Sequence, residues 1–129
     1  MNLSKGSYMK ILYVEDSEVD HFIVNQILQE SLDSFELKWV NNGLEAIETL
    51  KEENDFDIIL LDINMPLMNG LEFLKAYQDG FSEHVDTFPL SSSKDKGDIN
   101  TATSYSFVRA FLHKPLDGVG VNIISSHKI

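Results

Sequence analysis

Short apolar runs and longer stretches with helical spacing take turns along this chain. The short runs, rich in Ile, Leu and Val, are typical of strands buried in a parallel sheet. They predict strands at 10–14, 35–40, 57–61, 85–91 and 107–113. The fourth is the weakest of these predictions, because Pro89 removes a backbone donor and proline is rare in central strands.

The stretches between the strands carry apolar residues three and four positions apart, which predicts amphipathic helices. Ser17 and Asp20 begin the first of them with an arrangement close to a capping box. Its apolar positions are Val19, Phe22, Ile23, Ile27 and Leu28, and the next two helices carry Leu44, Ile47 and Leu50, then Leu71, Phe73, Leu74 and Tyr77. A polar fourth helix is predicted at 98–105. A weak fifth is predicted at 116–129, where two glycines cost about 1 kcal/mol each relative to alanine.

Regular alternation of strands and helices predicts an α/β fold, a doubly wound five-stranded parallel sheet with helices on both faces. Five such units fit the flavodoxin-like strand order 2-1-3-4-5. In that order the topological switch point lies between strands one and three, and ligands collect at the carboxyl ends of the strands there.

Composition narrows the possible functions. The chain has 129 residues and no cysteine, which predicts one domain and excludes disulfides, thiolate catalysis and cysteine-ligated metals. Ten Lys and Arg against 21 Asp and Glu give a net charge of −11, so we do not expect a nucleic-acid partner. We also expect no membrane association and a cytoplasmic location, because no apolar run approaches ~18 residues and the N-terminal residues lack a signal-peptide core. We expect residues 1–8 to be a disordered leader or a cloning remnant, and 9–129 to be one domain without an effector domain.

Polar residues follow the predicted strands at one edge of the sheet. Glu15 and Asp16 follow the first strand, Asp62 the third, and Ser91 and Lys114 the fourth and fifth. At ~4 Å and an effective dielectric of ~20, each pair of like charges costs about 4 kcal/mol, so clustered carboxylates favour a bound cation. Oxygen ligands alone indicate Mg²⁺. One acid is then free to form an acyl phosphate, with a lysine charge and a serine hydroxyl beside the transferred group.

Four segments at these positions resemble the response-regulator receiver domain of two-component signalling. They are YVEDS at 13–17, LLDINMPLMNG at 60–70, PLSSS at 89–93 and FLHKPLD at 111–117. The resemblance extends over nearly the whole chain from Lys10 onward. It implies a signalling protein rather than an enzyme, although one that assists its own phosphorylation and dephosphorylation.

The resemblance also implies a role for each site residue. Asp62 would be the phosphorylated aspartate and would bind Mg²⁺ together with Glu15, Asp16 and the backbone carbonyl of Asn64. Lys114 would pair with the phosphoryl group.

The switch and structural positions follow in the same way. Ser91 would be the switch hydroxyl and Phe111 the switch aromatic residue. Pro115 would follow a cis peptide bond after Lys114. The chain departs from the commonest pattern at Glu15, where aspartate is frequent, and at Ser91, where threonine is frequent.

The leading hypothesis is a phosphoacceptor switch that receives a phosphoryl group from a sensor histidine kinase or a histidine phosphotransfer protein. Its output would be a changed surface of helix four, strand five and helix five, directed to a downstream protein that the sequence does not identify. One alternative is a degenerate receiver that binds partners without phosphorylation. Another is an aspartate-nucleophile phosphatase, although Asn64 stands where such an enzyme needs a second acid.

Overall fold

The computed structural model describes residues 8–127, which form ten elements. The strands are β1 (Tyr8–Val14), β2 (Ser34–Val40), β3 (Ile58–Leu61), β4 (Asp86–Ser91) and β5 (Leu112–His113). The helices are α1 (Glu18–Ser31), α2 (Gly43–Glu52), α3 (Gly70–Gly80), α4 (Lys96–Thr103) and α5 (Gly118–Ser126).

All five strands are parallel and lie in the order β2-β1-β3-β4-β5, which confirms the predicted doubly wound fold. In the register between β1 and β3, Val14 pairs with Leu61. The residues that follow these two partners, Glu15 and Asp62, therefore leave the sheet side by side. The reversal of strand order thus places two carboxylates at one edge.

Alternating residues of the strands supply two hydrophobic cores, one on each face of the sheet. Leu12 and Val14 of β1 face the core formed with α2, α3 and α4, whereas Ile11 and Tyr13 face the core formed with α1 and α5. All four residues of β3 are buried. This accounts for its unbroken apolar run, which a strand covered on both faces needs.

Capping side chains set where several helices begin. The Ser17 hydroxyl accepts a hydrogen bond from the Asp20 N–H, as the sequence predicted for α1. Asp95 caps α4 in the same way, so that helix begins at Lys96 rather than at 98. Asp117 caps α5, which therefore begins at Gly118 rather than at 116. Aspartate at these positions satisfies backbone N–H groups that have no partner within the helix.

The predicted fifth strand is wrong in extent. Only Leu112–His113 is regular, and upstream of it Val108 forms an isolated bridge with Thr87. Between that bridge and the pairing of Leu90 with Leu112, two residues of β4 lie opposite three of the neighbouring segment. One of those two β4 residues is Pro89, which has no N–H to donate, so the ladder bulges there.

Two further expectations need correction. Tyr8, which we assigned to the leader, is the first residue of β1 and pairs with Ser34; residues 1–7 lie outside the described part of the chain. In α1, Val19 and Phe22 are each 69% exposed and Ile23 is 42% exposed, whereas Leu28 is buried as predicted, together with Val24. Among residues 8–127, no helix is long and apolar enough to cross a membrane.

Candidate functional site

Three carboxylates meet where β1 and β3 end. Glu15, Asp16 and Asp62 each offer one oxygen, and these oxygens lie within 4.8 Å of one another. Glu15 and Asp62 are buried, whereas Asp16 is exposed to solvent. Two of the three charges are therefore shielded from water, which makes their mutual repulsion costly.

Several donors hold Glu15 in place. The Tyr13 hydroxyl donates to Oε1 at 3.0 Å and the Ser17 backbone N–H donates to Oε2 at 3.3 Å. The backbone carbonyl of Glu15 accepts a hydrogen bond from Nε1 of Trp39 at 2.6 Å. The side chain of Glu15 is thus held by Tyr13 of β1 and by the residue that caps α1, and its backbone carbonyl is held by Trp39 of β2.

Lys114 provides the positive charge of the site. Its Nζ donates to Oε1 of Glu15 at 2.8 Å and to Oδ2 of Asp20 at 2.8 Å, and lies 3.6 Å from Oδ1 of Asp62. Burial alone would lower the pKa of Lys114, but the hydrogen bonds with Asp20 and Glu15 outweigh it and raise that pKa above its usual range. The ammonium group is therefore charged at neutral pH.

Asp62 is the most perturbed acid of the cluster. Burial, followed by the charge of Glu15, raises its pKa to about 7, against the lowering effect of Lys114. The Asn64 backbone N–H lies 3.4 Å from Oδ1 of Asp62 and also lowers the pKa. In the absence of a cation, burial and the charge of Glu15 thus favour the protonated form of Asp62 more than in a solvent-exposed aspartate.

The donor set fits a small hard cation. The three possible ligand atoms of the cluster are all carboxylate oxygens, two of the acids repel each other inside the protein, and exposed Asp16 leaves a side open to water. Mg²⁺ binds through few carboxylates while keeping several waters, which matches this arrangement. The predicted contribution of the Asn64 backbone carbonyl stays a prediction.

The remaining predicted site residues lie at the ends of β4 and β5. Ser91 is fully buried and its hydroxyl accepts a hydrogen bond from the Ser93 N–H at 3.0 Å. Phe111 is half-buried and packs against the core on the α2, α3 and α4 face. The peptide bond between Lys114 and Pro115 is cis, as predicted.

Sequence reasoning missed one residue beside the carboxylates. Asp20 was assigned only to the start of α1, although its Oδ2 accepts a hydrogen bond from Nζ of Lys114 at 2.8 Å. Asp20 therefore borders the site from the first turn of α1.

Comparison with known proteins agrees with this geometry. The family model described as the response regulator receiver domain matches residues 11–120. The chain belongs to this family. The match extends from Ile11 in β1 to the first turn of α5, and therefore covers every predicted site residue of this receiver domain.

Similar proteins include both sensor kinases and response regulators. The receiver domain is 42% identical over 74 residues to the autoinducer 2 sensor kinase/phosphatase LuxQ of Vibrio vulnificus, covering 57% of this chain and 8% of that protein. It is 30% identical over 96 residues to the response regulator Rcp1 of Synechocystis, covering 69% of this chain and 65% of that protein. The chain thus spans less than a tenth of the length of the first of these relatives.

A solved structure extends the similarity to the whole fold. A two-component response regulator from Cytophaga hutchinsonii superimposes with a TM-score of 0.82 at 27% identity, covering 92% of this chain and 95% of that one. The receiver domain therefore has the flavodoxin-like architecture of response regulators.

Proposed function

We propose that this receiver domain is a phosphoacceptor switch in which Asp62 accepts a phosphoryl group. The observation that supports the proposal is the convergence of three carboxylates within 4.8 Å, with Lys114 Nζ 3.6 Å from Asp62. The donor would be a phosphohistidine of a sensor histidine kinase or of a histidine phosphotransfer protein. Receiver segments occur in proteins named as sensor kinases, which supports a donor of this class.

The transfer requires an ionised Asp62. One carboxylate oxygen attacks the phosphorus atom, the bond from phosphorus to the donor imidazole nitrogen breaks, and its electron pair stays on that nitrogen. Lys114 places its positive charge beside the phosphoryl oxygens, where negative charge is spread in the transition state. A Mg²⁺ ion held by Glu15, Asp16, Asp62 and the Asn64 carbonyl would supply further charge neutralisation.

Switching would follow from the added charge. The buried hydroxyl of Ser91 would donate to a phosphoryl oxygen, and half-buried Phe111 would follow into the space that Ser91 leaves. The surface of α4, β5 and α5 would then change its population between two states. A nearly complete shift needs ~5.5 kcal/mol, which two or three charge-assisted hydrogen bonds of ~1.5–3 kcal/mol each can supply.

We also propose where this receiver domain acts and what kind of partner it has. The receiver domain would act as a signalling protein that assists its own phosphorylation and dephosphorylation, in the cytoplasm, with a downstream protein as its output partner. The net charge of −11 argues against direct binding to nucleic acid.

Mass spectrometry with a small phosphodonor tests the proposal. Acetyl phosphate with Mg²⁺ should add a single phosphoryl group of about 80 Da to the wild-type protein, with release of acetate. The adduct should be absent after Asp62→Asn and should persist after Asp86→Asn, a matched change at the opposite end of the sheet. Undiminished labelling of Asp62→Asn would refute the assignment.

Two other outcomes correspond to the alternative functions. A wild-type protein that folds but accepts no phosphoryl group would instead be a binding module that works without phosphorylation. Continuous turnover of a phosphomonoester would indicate a phosphatase, for which Asn64 offers no acid where one is needed.

A further inference from the structure

Lys114 has a partner that the proposed phosphoryl chemistry does not require. Its Nζ lies 2.8 Å from Oδ2 of Asp20 in the first turn of α1, but 3.6 Å from Oδ1 of Asp62. The distance to Asp20 is that of a good charged hydrogen bond, whereas the distance to Asp62 is beyond it. The ammonium group is therefore held closer to α1 than to the acceptor.

Asp20 also differs electrostatically from the other acids. It is not one of the three carboxylates whose oxygens converge within 4.8 Å, so a cation bound there does not neutralise it directly. Lys114 is its only ion-pair partner among the described residues. Its side chain is 35% exposed, against 17% for Lys114, so the pair is only partly screened by water.

We infer that Asp20 is a positioning residue that restrains Lys114 away from Asp62 and so weakens the affinity of the site for a phosphoryl group. Two effects act in the same direction. Asp20 competes for the ammonium group that must reach the phosphoryl oxygens, and its own negative charge repels those oxygens. This inference rests on the proposed function, because it assumes that Asp62 is the acceptor.

The effect on affinity should be modest, since partly exposed ion pairs are weak. Removing the charge of Asp20 should tighten binding of a phosphoryl mimic about two- to fivefold. A glutamate at the same position retains the charge and can still reach Lys114, and should restore wild-type affinity.

Trp39 provides a readout that does not depend on phosphoryl transfer. It is the only tryptophan of the chain, and its indole N–H donates to the backbone carbonyl of Glu15. Titrating the protein with beryllofluoride in the presence of Mg²⁺, while recording Trp39 fluorescence, gives a dissociation constant for each variant. The variants are Asp20→Asn, Asp20→Glu and the control Glu18→Gln, which removes one charge from the same helical turn.

The inference predicts that only Asp20→Asn binds beryllofluoride more tightly, while Asp20→Glu and Glu18→Gln match the wild type. Equal or weaker binding by Asp20→Asn would overturn it, as would equal tightening by Glu18→Gln, which would show a general charge effect. These outcomes leave the proposed function standing if the wild type responds. A wild-type protein that neither responds to beryllofluoride nor accepts phosphoryl would refute the proposed function and this inference together.

Discussion

Replacing Asp62 by asparagine should stabilise the metal-free protein at alkaline pH. The pKa of Asp62 is raised from 3.8 to about 7 by burial and by Glu15, so the folded protein binds this proton more tightly than the unfolded chain does. The stability gained from this proton is fully present below about pH 4, and it is lost as the pH rises through 7. Above pH 7 the wild-type protein therefore carries a buried charge that the variant lacks.

The raised pKa sets the size of the effect. A difference of roughly three pH units corresponds to about 4 kcal/mol, at 1.36 kcal/mol per unit. Solvent screening reduces this value, so we expect Asp62→Asn to be more stable by about 2–4 kcal/mol at pH 8. The difference should fall to about 1 kcal/mol at pH 4.5, where Asp62 is neutral in the folded protein but still largely ionised in the unfolded chain.

Urea unfolding with a metal chelator, followed by circular dichroism at both pH values, measures this difference. The matched control is Asp16→Asn, which removes a charge from the exposed member of the cluster and should change stability by less than about 1 kcal/mol. Saturating Mg²⁺ should stabilise the wild type more than Asp62→Asn, because the ion compensates the buried charges. A variant no more stable than wild type at pH 8 without metal would refute this account of the site's electrostatics.

Three smaller predictions concern the surroundings of the site. Leu67 has a φ of 61° and is 74% exposed, so Leu67→Asn should raise the free energy of unfolding by about 0.5–1 kcal/mol in urea titrations; a lower value would contradict the strain. A Cβ on Gly70 would lie 2.6 Å from the backbone oxygen of Asp62, so Gly70→Ala should lower stability by about 2 kcal/mol or more in thermal unfolding. A Cβ on Gly80 would meet no atom within 4 Å, so the control Gly80→Ala should be neutral or slightly stabilising. The Tyr77 hydroxyl accepts the Val85 N–H at 2.7 Å, so Tyr77→Phe should cost about 1–2 kcal/mol, measured by urea unfolding; an unchanged midpoint would show that water replaces the hydroxyl.

Hydrophobic patterning was sufficient to predict the fold, because a buried parallel sheet imposes strong constraints on sequence. The unbroken apolar run at 58–61 predicts a strand buried on both faces, and all four of its residues are buried. The alternation at 35–40 matches an edge strand with one half-buried face. The fifth strand could not be predicted in full, since the interruption arises from Pro89 on a neighbouring strand. Such cross-strand effects are invisible when a segment is considered alone.

The site was predictable only in part for a related reason. The ends of the apolar runs mark the strand ends in the sequence, so the proximity of Glu15, Asp16 and Asp62 could be predicted from the strand order. The bond between Asp20 and Lys114 joins residues 94 positions apart and depends on the orientation of α1. The exposed Val19 and Phe22 suggested the wrong buried face for α1, so the direction of Asp20 could not be predicted from the sequence.

The shortened β5 has a consequence for solubility. An edge strand with a long row of unpaired backbone N–H and C=O groups can pair with a strand of another molecule, and natural proteins often shorten or interrupt such edges. Here the regular part of the edge strand β5 is only two residues long, and the irregular segment before it does not offer a continuous row of groups for strand pairing. Pro89, one strand further in, thus protects this side of the sheet from edge-to-edge aggregation.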